Sequence, residues 1–142
     1  MDKTRILILC IGNSARSQIA ESYFKKYAGD RIQPYSAGLT PSEIHPLTRK
    51  VLAEDGIDMV GQYSKSVNDF LGKVHFQYVF TVCDLAHQQC PTIFLNAKMI
   101  HWDIEDPATC EDLEEICIRK FREVRDMIKE HVKEWLARQS YT

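Results

Sequence analysis

Short apolar runs alternate with helix-like patterns along the whole chain. The runs predict strands, and apolar residues that recur every three to four positions predict helices. This alternation is typical of an α/β protein, so we expect one domain over residues 1–142 with a four-stranded, mostly parallel sheet flanked by helices. The predicted strands are Arg5–Leu9, Ile32–Ala37, Tyr78–Val82 and Lys98–Trp102, and the predicted helices are Gln18–Tyr27, His45–Asp55 and about Asp112–Ala137, with a short helical or irregular piece at Val67–Leu71.

The last predicted helix carries an apolar stripe that we expect to pack across one face of the sheet. Cys117 falls on this stripe and is expected in the core, whereas Cys110 precedes the helix and has no evident partner. Neither cysteine is given a functional role. The stripe consists of Leu113, Ile116, Phe121, Val124, Ile128, Val132, Trp135 and Leu136.

Composition and charge exclude several classes of function. The 142 residues are 44% hydrophobic and 27% charged, with a formal net charge of -2, which gives no sign of a nucleic-acid or acidic-membrane partner. No run is long enough to span a membrane, and the first apolar run is too short for a signal-peptide core. Five cysteines without an export signal indicate a reducing cytosol, where thiols act as reagents. We expect a cytoplasmic monomer.

The first predicted strand leads into Cys10-Ile-Gly-Asn-Ser-Ala-Arg16-Ser17. This order places a thiol beneath a tetrahedral oxyanion that the Arg16 guanidinium and backbone N–H groups would hold. Gly12 lets the backbone of the loop come close to that oxyanion. The helix N-terminus and the Ser17 hydroxyl should lower the pKa of Cys10, so we expect a thiolate near neutral pH. The alternative is a buried, inert core cysteine. The expected oxyanion-binding residues are Ile11, Gly12, Asn13, Ser14, Ala15 and Arg16.

Two further cysteines lie after the third predicted strand. Cys83 follows the strand directly, and Cys90 comes seven residues later. In a regular helix, seven residues would separate the two Cα atoms by roughly 10 Å, whereas a disulfide needs about 4.4 to 6.8 Å. We therefore predict a segment that is helical when reduced and looped when oxidised. Two alternatives stay open: both cysteines are inert, or they bind a metal with His87, a spacing that matches no common zinc site. We expect no metal.

A thiolate that attacks an oxyanion must expel an oxygen, which leaves more easily when a carboxylic acid protonates it. Asp106, followed by Pro107 in the loop after the last strand, is the candidate acid. The alternative is an ordinary Asp-Pro turn.

Together these motifs resemble the low-molecular-weight tyrosine phosphatase fold and, within it, the thioredoxin-coupled arsenate reductases. Three features favour the reductases. Gln18 stands where phosphatases usually have proline, Ala108-Thr109 where they have aromatic residues, and the phosphatases lack the Cys83 and Cys90 pair. The other matching segments are Tyr35-Ser-Ala-Gly38, His45-Pro46, Gly56-Ile57-Asp58, His101-Trp102 and Pro91 after the thiol pair.

The resemblance implies a relay of three thiols without a cofactor. Cys10 attacks arsenate, Asp106 protonates the departing oxygen, and Cys83 then attacks Cys10 to release arsenite. Cys90 attacks Cys83, and thioredoxin reduces the resulting disulfide. Two electrons reach arsenic, which matches the oxidation of two thiols.

Two positions depart from the family pattern. Ala15 stands where relatives often have cysteine. Relatives that bind potassium beneath the loop use residues matching Asn13, Glu21 and Ser36 and an acidic residue where this chain has Lys65. The Lys65 ammonium could occupy the place of the ion, so we expect no potassium dependence; the alternative is that Lys65 points to solvent.

Two rival functions remain at this point. Cys10, Arg16 and Asp106 would serve a phosphatase equally well, since phosphate and arsenate are both tetrahedral oxyanions. A non-catalytic redox or oxyanion sensor would use the segment between Cys83 and Cys90 to change shape for a partner.

Overall fold

The centre of the molecule is a parallel sheet of four strands. The computed structural model describes residues 3–90, 94 and 96–139, so Pro91 lies outside the described residues. The strands are β1 (Thr4–Cys10), β2 (Ile32–Gly38), β3 (Tyr78–Thr81) and β4 (Lys98–His101). Their order is β2-β1-β3-β4 and each pairing is parallel, which confirms the predicted α/β fold class.

The strand order determines where a ligand would bind. The chain runs from β1 to β2 on one side and returns to β3 on the other, so the order reverses beside β1. Open parallel sheets bind ligands beyond the carboxyl ends of their strands at this position. Cys10 is the last residue of β1 and therefore lies at the favoured edge.

Four helices surround the sheet: α1 (Arg16–Ala28), α2 (Pro46–Glu54), α3 (Asp84–Gln88) and α4 (Glu114–Arg138). Short 3-10 turns cover Val67–Asp69 and Pro107–Thr109. The predicted bounds differ from the observed ones by at most two residues. Helix α2, for example, begins one residue later than predicted, because the His45 side chain caps it by accepting the Leu47 N–H at 3.1 Å and Pro46 starts the first turn.

The alternation of side chains along β1 builds an apolar cluster on each face of the sheet. Ile6, Ile8 and Cys10 pack on the face covered by α1 and α4. Leu7 and Leu9 pack on the opposite face, in the cluster that contains Cys83. Cys10 thus ends β1, and Cys83 lies two residues after the end of the neighbouring strand β3, but the two cysteines belong to different clusters.

The apolar stripe of α4 is buried as predicted along most of its length, including Phe121, Ile128 and Trp135. Leu113 is an exception with 63% exposure, because it precedes the first turn of the helix. Among the residues that the structure describes, no helix combines the length and apolar character that a membrane crossing demands.

The expectation that Cys110 has no partner is wrong. Its sulfur forms a disulfide with Cys117, the buried cysteine three residues after the start of α4. The bond joins the turn Pro107–Thr109 to that helix. Not every cysteine of the chain is therefore a reagent, and Cys10, Cys83 and Cys90 are the three that retain their thiols.

Candidate active site

The loop between β1 and α1 is held from outside by the chain that follows β2. Backbone N–H groups from that chain donate to carbonyl groups of the loop. A trans peptide carries its N–H opposite its C=O, so the loop peptides turn their N–H groups to the other side. The Asn13 N–H donates to Cys10 Sγ at 3.2 Å. The outer pairs are Leu39 to Cys10, Thr40 to Ile11, Ser42 to Gly12 and His45 to Ser14, with N···O distances of 2.9 to 3.1 Å.

Gly38, the last residue of β2, lies directly beneath this loop. A Cβ atom at this position would be 2.5 Å from the Ile11 carbonyl oxygen and 2.9 Å from the Asn13 nitrogen. Such distances are too short for any side chain, so only glycine lets the loop rest on the end of the strand.

The N-terminus of α1 faces into the loop without a competing cap. Ala15, the residue before the helix, has no side chain that could accept the first N–H groups, and the first turn contains no acidic residue. The helix therefore begins with backbone N–H groups that no side chain caps and with the positive end of its dipole. An oxyanion bound in the loop could accept hydrogen bonds from these groups and would be stabilised by the dipole.

Cys10 lies at the bottom of the loop and is 2% exposed. Its sulfur is 2.8 Å from the Ser17 hydroxyl oxygen. The Asn13 side-chain amide donates to that same oxygen at 2.7 Å. Ser17 therefore lies within hydrogen-bond distance of Cys10, where its hydroxyl can donate to a thiolate or accept from a thiol.

The ionisation of Cys10 differs from the expectation. Burial raises the pKa of the Cys10 thiol above its ordinary value, and hydrogen bonds from Ser17 and Asn13 and the charge of Arg16 lower it only in part. Burial disfavours a charged sulfur more than these donors favour it. The prediction of a thiolate near neutral pH is therefore not supported by this geometry.

Arg16 and Asp106 are brought together although 90 positions separate them. The Arg16 Nη2 lies 3.4 Å from Asp106 Oδ2. The Arg16 Nη1 donates to the carbonyl oxygens of Ile104 at 3.0 Å and Val82 at 3.3 Å. Arg16 is 5% exposed, so these contacts fix the guanidinium beside the loop.

Asp106 combines a turn role with a position in the site. Its Oδ1 accepts the Ala108 N–H at 3.0 Å and so begins the turn Pro107–Thr109. Its Oδ2 faces Arg16, and the side chain is 32% exposed. The two interpretations of the Asp-Pro pair are therefore compatible, because one oxygen caps the turn and the other faces the site.

The predicted supporting residues form a buried network behind the loop. Asn13 Oδ1 accepts the Lys65 backbone N–H and the Gln18 side-chain amide, each at 2.8 Å. The Ser36 hydroxyl donates to Glu21 Oε1 at 2.6 Å. Asn13 adopts φ of 52°, the left-handed conformation that asparagine tolerates better than most residues.

Lys65 points inward and not to solvent. It is 9% exposed, its ammonium donates to the Tyr63 carbonyl oxygen at 2.6 Å, and it lies 3.7 Å from Glu21 Oε1. Burial lowers the pKa of Lys65, while the Glu21 charge opposes that shift. Glu21 also binds Lys25 at 2.7 Å, so two ammonium groups lie beside its carboxylate.

The segment after β3 is helical with both of its thiols retained, as predicted for the reduced form. Cys83 Sγ caps α3 by accepting the Ala86 N–H at 3.3 Å, and the residue is 8% exposed. Cys90 is half-buried next to the same apolar cluster, and burial raises the pKa of its thiol.

Sequence reasoning missed several residues that hold the loop. The Thr48 hydroxyl donates to the Ser14 carbonyl oxygen at 2.9 Å, and the Ser64 hydroxyl lies 3.0 Å from the carbonyl oxygens of Gly12 and Asn13. No signal in the sequence distinguishes these hydroxyls from others. Gly38 was noted only as part of a motif, although its lack of a side chain is what the loop requires.

Comparison with known proteins agrees with this geometry. The family model described as low molecular weight phosphotyrosine protein phosphatase matches residues 5–140. An arsenate reductase of Halalkalibacterium halodurans is 40% identical over 134 residues, which cover 94% of this chain and 95% of the relative.

Two solved structures are similar as well. An arsenate reductase in the phosphate binding state has a TM-score of 0.80 at 29% identity and covers 95% of this chain and 98% of its own. A thioredoxin-dependent arsenate reductase of Corynebacterium glutamicum has a TM-score of 0.76 at 29% identity and covers 99% of this chain and 64% of its own. The chain therefore belongs to the low molecular weight phosphotyrosine protein phosphatase family, among the relatives that are named arsenate reductases.

Proposed function

We propose that this protein reduces arsenate to arsenite with the thiols of Cys10, Cys83 and Cys90 and receives electrons from thioredoxin. The single observation that carries the proposal is the Arg16 guanidinium. It lies beside the oxyanion loop and donates to the carbonyl oxygen of Val82, the residue before Cys83. One side chain thereby joins the oxyanion site to the strand end that carries the second thiol.

The first step would take place in the loop. The Cys10 sulfur attacks arsenic, and one arsenate oxygen leaves as water after protonation by Asp106. Arg16 and the N–H groups of Ile11 to Arg16 hold the remaining oxygens. Because burial raises the pKa of Cys10, its thiol proton would pass to an oxygen of the bound arsenate as the sulfur attacks, with Ser17 donating to the sulfur.

The second and third steps would oxidise two thiols. Cys83 attacks the Cys10 sulfur, the pair of electrons of the sulfur–arsenic bond stays on arsenic, and arsenite leaves. Cys90 then attacks Cys83 and restores the Cys10 thiolate, which leaves a disulfide between Cys83 and Cys90. Arsenic gains two electrons and two thiols lose them, and a dithiol of the thioredoxin type returns both electrons by exchange.

The structure also supports the movement that this sequence of steps needs. Cys10 and Cys83 pack in clusters on different faces of the sheet, so the segment after β3 has to rearrange before the two sulfurs meet. Helix α3 is five residues long, and a helix of this length is marginal on its own. We infer that α3 opens during the relay. We also propose that the chain acts as a monomer in the cytosol and that it binds neither nucleic acid nor a membrane.

The test is arsenate-dependent oxidation of NADPH in the presence of thioredoxin and thioredoxin reductase, with potassium or sodium as the cation. We expect turnover in wild type, no difference between the cations because Lys65 lies beside Glu21, and loss of multiple turnover in Cys90→Ser. Undiminished turnover in Cys90→Ser would contradict the relay. The Cys110→Ser variant is the matched control and should keep turnover, since Cys110 is outside the proposed relay.

The family model and the pairing of Arg16 with Asp106 favour a second candidate, phosphomonoester hydrolysis by Cys10. Hydrolysis of p-nitrophenyl phosphate should be unchanged in Cys90→Ser. Hydrolysis without arsenate turnover in wild type would select the phosphatase, and the absence of both would select a sensor.

A further inference from the structure

A histidine at the end of β4 links the sheet to the first residue of α3. Thr81 and His101 are paired in register on β3 and β4. The fully buried Thr81 places its hydroxyl oxygen 2.8 Å from His101 Nδ1. The other ring nitrogen, Nε2, lies 3.1 Å from Asp84 Oδ1. Both nitrogens of His101 are used, one toward the sheet and one toward α3.

Helix α3 has few other attachments to the sheet. Within α3, whose five residues are all described, Ala86 alone is buried. Its other contacts include the Cys83 cap at its start, a distance of 3.3 Å between His87 Nδ1 and the same Thr81 hydroxyl, and a ring contact between His87 and His101 with centroids 4.8 Å apart. A short helix depends on such tertiary contacts, because its own hydrogen bonds barely offset the cost of nucleation.

We propose that the contact chain Thr81–His101–Asp84, here called the latch, holds α3 in its helical form and so sets how readily Cys83 and Cys90 form a disulfide. The proposal deepens the proposed relay and rests on it. His101 and Asp84 would be positioning residues: they touch neither the oxyanion nor the sulfurs, but Asp84 follows Cys83 directly. If the disulfide requires α3 to open, the latch has to break before it forms, and its loss shifts the equilibrium toward the disulfide.

The size of the effect follows from the exposure of the pair. The Asp84 side chain is 76% exposed and that of His101 is 26% exposed, so the contact resembles a surface pair. Such pairs change an equilibrium constant by roughly two- to five-fold. We therefore expect the variants to shift the equilibrium between dithiol and disulfide at Cys83 and Cys90 and not to abolish formation of the disulfide.

The experiment measures the equilibrium between dithiol and disulfide at Cys83 and Cys90 in the full chain, in buffers of reduced and oxidised dithiothreitol. The disulfide-containing peptides are quantified by mass spectrometry. The variants are His101→Ala, Asp84→Ala and the double variant. We expect each single variant to raise the ratio of disulfide to dithiol two- to five-fold, and the double variant to add little to the effect of His101→Ala, because both substitutions break the contact between His101 and Asp84.

Asp103→Ala is the matched control. Its carboxylate lies within 4.8 Å of the ligand atoms of Asp84 and His101, so the substitution removes a neighbouring negative charge while the latch stays intact. We expect less than a two-fold change. An equal shift in Asp103→Ala would assign the effect to local charge and overturn the latch.

A second measurement separates the latch from the relay. Amide hydrogen exchange of the reduced protein at His87 and Gln89, which donate to the carbonyl oxygens of Cys83 and Leu85, reports the opening of α3 without thiol chemistry. We expect two- to five-fold faster exchange in His101→Ala and unchanged hydrolysis of p-nitrophenyl phosphate. Unchanged exchange, or faster exchange without a redox shift, would overturn the proposal. A wild-type chain that forms no Cys83–Cys90 disulfide would instead overturn the proposed relay.

Discussion

Asn13 provides a quantitative test of how the oxyanion loop is held. Its side chain makes three buried contacts, with the Ser17 hydroxyl at 2.7 Å, the Lys65 backbone N–H at 2.8 Å and the Gln18 amide at 2.8 Å. A hydrogen bond of this kind stabilises the folded state by about 1 kcal/mol. Asn13→Gly removes all three contacts and keeps the backbone conformation, so we expect the lost contacts alone to lower the free energy of unfolding by about 3 kcal/mol.

Asn13→Ala removes the same contacts and also forces alanine into φ of 52°. That conformation costs an alanine roughly 1 to 2 kcal/mol, whereas glycine instead loses about 0.4 to 1 kcal/mol through the entropy of its unfolded chain. The alanine variant should therefore be less stable than the glycine variant by about 0.8 kcal/mol, the difference between the midpoints of these two ranges. This order is the reverse of that usually found for the two residues in regular structure.

The measurement is urea unfolding at equilibrium, with extrapolation of the free energy to water. Asn68→Ala is a suitable control, because Asn68 is exposed and its hydrogen bonds with Ser66 and Leu71 are made by its backbone. It should change stability by no more than about 0.5 kcal/mol. An alanine variant as stable as the glycine variant would refute the backbone argument, and a loss below about 1 kcal/mol in both would refute the hydrogen-bond argument.

Two further predictions concern the sulfurs. Denatured protein kept without a reductant should show three titratable thiols, and five after reduction, because Cys110 and Cys117 form a disulfide. Five titratable thiols before reduction would contradict the disulfide. The disulfide closes a loop of eight residues, so its reduction should lower the free energy of unfolding by about 2.5 kcal/mol in urea titrations. Ser17→Ala should move the midpoint of Cys10 alkylation to higher pH, because the Ser17 hydroxyl lowers the pKa of Cys10; an unchanged midpoint would show that this hydroxyl does not stabilise the thiolate.

Much of the fold follows from the sequence because its two strongest patterns belong to elements that bury their apolar side chains. The unbroken apolar run of β1 predicts a strand covered on both faces, and the stripe of α4 predicts a helix across one of them. The ends of strands are less predictable. Cys10 of β1 still pairs with Gly38 of β2, because the backbone pairing of the two strands continues beyond the apolar run that predicts β1.

In the candidate site, too, contacts between residues close in the sequence are more predictable than contacts between distant residues. Ser17 and Cys10 are seven residues apart, and the turn into α1 brings them together, so their contact is predictable from the motif. The pair of Arg16 and Asp106 depends on the order of the strands, which the sequence does not state. The disulfide of Cys110 and Cys117 crosses the boundary between a turn and a helix, where spacing alone does not fix the distance between two side chains.

The sheet explains why an oxyanion loop of this kind is suited to redox chemistry. Because β1 and β3 are neighbours, the end of β3 lies beside the loop, and Arg16 reaches the Val82 carbonyl oxygen from the first turn of α1. Cys83, at the next position, packs on the other face of the sheet from Cys10, so the segment after β3 has to move before its thiol reaches the loop. The further requirement is a segment after β3 that opens at low cost, and a five-residue helix with one buried side chain satisfies it. The residues that follow β3 then determine whether the site can reduce arsenate in addition to hydrolysing a phosphomonoester. The Cys83→Ser variant should therefore still hydrolyse p-nitrophenyl phosphate but no longer reduce arsenate.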